Sequence, residues 1–304
     1  METPMRPVQL QTLALRASAA LLALGWLVAM MMPVGAEPAG SGPRRIVAIG
    51  GSVTEIVYAL GEQDRLAGRD TTSVFPPEAL ALPDVGYIRA LSPEGVLSVN
   101  PDLILALDGA GPPETIGVLR DSGVPILTIP EGYDADAIVA KIEAAGEALG
   151  VQHKAGELAR KVSADLSAAS AAAVRGKPRR VLFVLSMQGG RVMAAGAHTH
   201  ADAMIRLAGG INALGQMSGY KQVSDEAVIE AKPEIILVMD RRGDHAISDD
   251  DLFAHPAIAS TPAGTDRRIV RMDGLYLLGF GPRTAEAVRD LSIALNDRSQ
   301  AWRQ

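Results

Sequence analysis

The chain has 304 residues, a formal charge of −6, aromatics at only 4% and no cysteine. Without a basic patch interleaved with aromatics, that acidic balance argues against a nucleic-acid binder. The missing cysteine excludes disulfides, thiolate catalysis, zinc ribbons and iron–sulfur clusters.

Residues 1–36 read as an export leader. Arg6 and Arg16 supply the positive start, Ala17 to Met32 form an uncharged apolar run, and Val34-Gly35-Ala36 offers small residues for signal peptidase before Glu37. A membrane anchor is the competing reading, but a run of about 16 residues is short for a span of about 20. Cleavage leaves about 268 residues, enough for two lobes of ordinary size. The leader carries Glu2, Arg6 and Arg16, so its loss brings the charge to about −7.

From Pro43 the pattern is α/β. Arg45 to Ile49 is a buried-type strand, Val53 to Leu60 a helix stopped by Gly61, and Leu66 to Gly68 a short strand. The intervening Gly50-Gly51-Ser52 lacks the remaining residues of a phosphate-binding loop. The stretch Gly86-Tyr87-Ile88-Arg89-Ala90-Leu91-Ser92-Pro93-Glu94 follows. It puts a phenol, and a guanidinium two residues later, on the loop before a helix that Ser92 caps and Pro93 opens. An Arg at i+2 on an extended segment falls on the same side as the Tyr and favours its ionised form. A plain loop Tyr beside a solvated Arg fits the same residues. The spacing then predicts a helix to about Val99, a strand over Leu103–Leu107, a helix over Thr115–Gly123 and a strand over Pro125–Ile129. Parallel pairing with right-handed crossovers follows.

Asp134 to Val174 is helix-favouring, with one break near Gly150. Its second part, from Gln152, is roughly 35 Å long at 1.5 Å per residue. Its apolar positions are mostly Ala, which suits a helix lying across two lobes better than a coiled-coil arm. Beyond Gly176 the α/β pattern resumes and repeats the first half. Pro43-Arg44-Arg45-Ile46-Val47 answers to Pro178-Arg179-Arg180-Val181-Leu182. Ser92-Pro93-Glu94-Gly95-Val96 answers to Ser224-Asp225-Glu226-Ala227-Val228, and in both copies a Pro-acid-Leu/Ile-Ile-Leu strand follows. The resulting organisation is a first lobe over 43–149, an inter-lobe helix over 150–176 and a second lobe over 177–304. Glu94 and Glu226 occupy matched first-turn positions, which suits the helix dipole and equally a pair of docking points on two like lobes.

His198-Thr199-His200 forms an i, i+2 pair before a helix over Ala201–Leu207. It reads either as a chelating pair or as polar loop residues, and the other histidines lack a metal-binding setting. Asp249-Asp250-Asp251 reads as a solvated charge run in a loop. There is no G-x-S-x-G elbow and no His-Glu-x-x-His, so no catalytic set is found.

This ordering resembles class III periplasmic substrate-binding proteins of ABC importers. Within that class, Val85 to Val96, Tyr276-Leu277-Leu278-Gly279-Phe280-Gly281-Pro282-Arg283-Thr284 and Gly219-Tyr220-Lys221 resemble the haem-binding proteins of bacterial haem-uptake systems. The resemblance covers about residues 43–295 and implies a protein that is not an enzyme. It would bind haem in the inter-lobe cleft and deliver it to an ABC transporter permease from the periplasm. It implies Tyr87 as axial ligand of the haem iron, since a phenolate is a hard anionic donor that suits ferric iron. Arg89 would neighbour it, and Arg241, at the carboxyl end of a second-lobe strand, would bond to Tyr87 or a propionate. Arg242 is not separated from Arg241 by sequence. Tyr220 and Tyr276 would meet a porphyrin face, and His198 or His200 would serve a second haem. Glu94 and Glu226 would dock on permease arginines. A ferric siderophore or a corrinoid is the alternative cargo.

Overall fold

The computed structural model describes residues 42–240, 247–297 and 301–303. The first lobe runs β1 (Ile46–Ile49), α1 (Gly51–Ala59), β2 (Leu66–Arg69), α2 (Pro93–Leu97), β3 (Leu103–Leu107), α3 (Pro113–Asp121) and β4 (Ile126–Ile129). Its four strands are all parallel, in the order β2-β1-β3-β4. β1 and β3 are apolar and buried along their length, as expected of central strands covered on both faces.

Two helices follow, α4 (Ala135–Leu149) and α5 (Gln152–Ala173). Asp134 opens α4 by accepting the Ala137 N–H at 2.8 Å, and Gly150, at φ 73°, closes it in the left-handed conformation that glycine adopts without penalty. α5 buries Ala155, Ala159, Val162, Leu166, Ala169 and Ala173, one every three or four residues on one face. Small side chains on that stripe let α4 and the helix over Thr284–Asn296 approach closely.

The second lobe runs β5 (Arg180–Gln188), β6 (Arg191–Ala195), α6 (His200–Leu207), β7 (Ile211–Asn212), β8 (Tyr220–Val223), α7 (Asp225–Ala231) and β9 (Ile235–Asp240). It continues with the short helices α8 (Asp249–Ala254), α9 (Pro256–Ala259) and α10 (Pro262–Thr265), then β10 (Ile269–Asp273), α11 (Gly274–Leu278), α12 (Thr284–Asn296) and β11 (Ala301–Arg303). Its sheet is ordered β11-β10-β9-β5-β6-β8, with β7 beside β5. The sheet is mixed, which departs from the parallel pairing expected throughout: β6 runs antiparallel to β5 and to β8. The cause is local, because Gly189 and Gly190 both take positive φ and turn the chain back in a two-residue hairpin. The Asp249–Asp251 run is not a loop either. It forms the first turn of α8, where Ser248 accepts the Asp251 N–H and Asp249 pairs with the buried Arg271.

The internal repeat has a structural counterpart. Asp102 accepts the backbone N–H groups of Arg44 and Arg45 while its own N–H donates to Arg45 O. Glu234 accepts the N–H of Arg180 and donates its own to Arg180 O. Each lobe thus uses one acidic residue after a Pro to fix the start of one strand to the start of another. Ser92 and Ser224 likewise cap α2 and α7, accepting from Gly95 and Ala227. One apolar core runs from the first-lobe sheet through α4 and α5 into Val181, Phe183 and the inner face of α12, and a smaller core lies on the other face of the second sheet. Among the described residues no helix is long and apolar enough to cross a membrane.

Candidate functional site

The loop between β2 and α2 carries Tyr87 on a backbone fixed from both sides. Thr71 N–H donates to Gly86 O, Gly111 N–H to Ile88 O, and Leu91 N–H to Gly111 O. Ile88 and Leu91 are buried, so the loop is anchored by its apolar members. Gly86 at φ 112° makes the turn that only glycine makes cheaply. Tyr87 itself is 47% exposed, a large ring held open on a rigid base, and Arg89 beside it is also exposed.

Tyr220 begins β8 on the opposite lobe, paired with Ala195 and edge-on to Phe183 at 6.3 Å. The Gly196 N–H donates to Gly219 O and the Gly219 N–H to Ala197 O, so the residue before Tyr220 is tied to the segment that leads into α6. Burial pushes the phenol up, and Ala201, Thr199 and the charge of Arg89 pull it only part of the way back. Arg89 of the first lobe therefore lies close enough to act electrostatically on Tyr220 of the second. His198, next to Thr199, is exposed and takes a left-handed backbone at φ 59°.

His200 is placed differently from His198. Its Nε2 lies 3.3 Å from Glu131 Oε1, and its ring is edge-on to Tyr133 and to Phe280. The same Glu131 oxygen accepts from Lys141 Nζ at 2.8 Å, and Lys141, fully buried, also reaches Ser52 Oγ and Gly279 O. Burial raises the Glu131 carboxyl, but His200, Lys141 and the Gly132 N–H outweigh it and hold it at about 2. Lys141 moves down despite its partner, because burial is complete for the ammonium and incomplete for the carboxylate. Sequence reasoning missed this cluster.

Tyr276 is buried, donating from its hydroxyl to Asp290 at 2.9 Å. It lines a cavity of about 250 Å³ with Val74, Phe75, Asp273 and Arg283. None of those residues belongs to the Tyr87, Arg89 and Tyr220 group. Glu94 and Glu226 are exposed on α2 and α7, and the Glu226 carboxyl is held down by its own backbone N–H and by the Ser224 hydroxyl. Arg241 and Arg242 lie outside the described residues. No group of three or more His, Asp or Glu placed to hold a metal ion occurs among the described residues.

Residues 46–275 match the periplasmic binding protein family, and the chain belongs to it. It is similar to the solved periplasmic heme-binding protein RhuT from Roseiflexus sp. RS-1, at 41% identity and a TM-score of 0.81, over 84% of this chain and 99% of that one. It is also similar to the periplasmic heme-binding protein BhuT, solved in complex with two hemes, at 40% identity and 0.79, over 85% and 99%. Among curated relatives, an ABC transporter substrate-binding lipoprotein of Bacillus subtilis, YvrC, is 27% identical over 257 residues, 83% of this chain and 80% of its own. A vitamin B12-binding protein of Vibrio cholerae is 29% identical over 260 residues, 83% and 88% respectively.

Proposed function

We propose that this protein is a periplasmic haem-binding protein that takes haem between its two lobes and delivers it to an ABC-type permease. The observation that carries this reading is the exposed Tyr87, on a hydrogen-bonded first-lobe loop whose Arg89 lies within electrostatic reach of Tyr220 of the second lobe. Kinship at about 40% identity with two heme-binding proteins supports the choice of cargo. Tyr87 is the iron ligand in this reading. A phenolate must lose its proton to ligate, and both the iron charge and a nearby guanidinium favour that loss. Arg89 and Arg241 bond to propionates or to the ligating phenol, and Tyr220 edges the porphyrin. His198 is the ligand on the second lobe if a second haem enters. Glu94 and Glu226 dock on the permease, and the leader exports the chain. The protein binds and hands over; it catalyses nothing.

Titrating purified mature protein with hemin, beside Tyr87→Phe, tests the reading. A saturable Soret change with high-spin ferric features, lost or shifted in the variant, supports it. No specific Soret change in the wild type overturns it. Similarity to a vitamin B12-binding protein favours a corrinoid as the second reading, and cobalamin titrated in parallel would then give the saturable spectrum.

A further inference from the structure

The α6 N-terminus is shared by two sites. Gly196 donates its N–H to Gly219 O and Ala197 accepts the Gly219 N–H, which ties the chain entering α6 to the strand that Tyr220 opens. His200 points the other way, onto Glu131 and Tyr133 of the first lobe. Glu131 remains a carboxylate down to about pH 2, so Nε2 of His200 is the donor. The same carboxylate oxygen also accepts from Lys141 Nζ and the Gly132 N–H, which orient it. The other side of the imidazole rests on Phe280, a buried aromatic at φ 47°. A non-glycine residue in that region is strained and persists only where its surroundings over-determine it. The ring is therefore seated between a fixed first-lobe acceptor and a fixed second-lobe wall.

We infer that His200 is a positioning residue: its bond to Glu131 registers the cleft wall bearing Tyr220 against the lobe bearing Tyr87, and it does not ligate iron. The inference goes beyond the haem reading and depends on it only for the affinity measurement below. Losing the bond leaves α6 free to shift relative to the first lobe, and Tyr220 shifts with it. Glutamine retains an amide N–H at similar reach, and leucine has none.

The chain has no cysteine, so cysteines introduced at the exposed positions Ala90 and Lys221 would carry the only two spin labels. Their distance distribution in haem-free protein is expected to be narrow in the wild type and in His200→Gln, and displaced or broadened in His200→Leu. Hemin affinity is expected to fall about tenfold in His200→Leu and to recover in His200→Gln, with spectrum and stoichiometry at saturation unchanged. Loss of one equivalent of haem in His200→Leu would make it an iron ligand and overturn the inference. So would an unaltered distance distribution in His200→Leu. If the wild type fails to bind hemin, the haem reading falls and the distance measurement alone decides this one.

Discussion

The Arg283 guanidinium stacks 3.4 Å over the Phe75 ring while its Nη2 donates to Glu55 at 2.9 Å, so a second-lobe cation is held by first-lobe groups. The Arg283 backbone N–H also donates to Glu55, whose side chain is nearly buried. Removing one partner of such a pair leaves a buried charge uncompensated and costs about 3–5 kcal/mol. Arg283→Met is expected to lower stability by about 3 kcal/mol in denaturant melts. Adding Glu55→Gln should restore part of the loss, because the orphaned charge is then gone. An additive double variant would contradict this account.

Acid should weaken a second lobe-to-lobe contact, that of Glu131 with His200. Glu131 is held at about 2 in the folded chain, well below the usual 4.5. A depressed carboxyl contributes stability above its unfolded value and loses it as the pH falls through its folded value. The loss therefore runs between pH 4.5 and 2 and amounts to about 3 kcal/mol. Urea midpoints collected from pH 6 to 2 should fall in that window, and Glu131→Gln should flatten this part of the profile. An acid limb equally steep in the variant would assign the loss to other carboxylates.

The exposed Glu94 and Glu226 sit in the first turns of two matched helices. Replacing both by Ala should leave hemin binding untouched and slow association with the permease. The slowing should be largest at low ionic strength, because exposed charges set on-rate and are screened beyond about 10 Å at 0.1 M salt. Association rates followed against salt would check it. A salt-independent rate equal in both proteins would leave the two carboxylates with their helix-dipole role alone.

Ser224 caps the helix that bears Glu226. Ser224→Ala should cost about 1 kcal/mol in a melt, as for other N-cap serines. In the proposed docking role it should also slow permease association without altering hemin affinity. Unchanged association would separate the cap from docking.

Much of this architecture is written locally. Strand and helix boundaries follow from apolar periods and from Pro, Gly and Ser punctuation, and the Ser-x-Glu-x-Val repeat announces two like lobes. The placement of Tyr87 on an exposed loop is legible because turn residues frame it. The antiparallel β5–β6 hairpin had a signal in Gly189-Gly190, outweighed by the expectation that the second half copies the first. Lys141 had none: on an Ala-rich helix a lysine reads as solvated. Its partners stand ten residues away at Glu131, 89 at Ser52 and 138 at Gly279. Tyr276 has the same difficulty, since its burial depends on the approach of Asp290 from α12.

The apolar core that passes from the first sheet through α5 into the second lobe bears on how the molecule comes apart. Neither lobe owns a complete interior, because each leans on the same helical stripe. Cutting the chain after Leu149 would strip that stripe from the first lobe and expose the inner faces of Ala155, Val162 and Leu166. Heat or denaturant should accordingly dissolve both halves in a single cooperative event, and a limiting protease should yield intact chain or peptides rather than a surviving half.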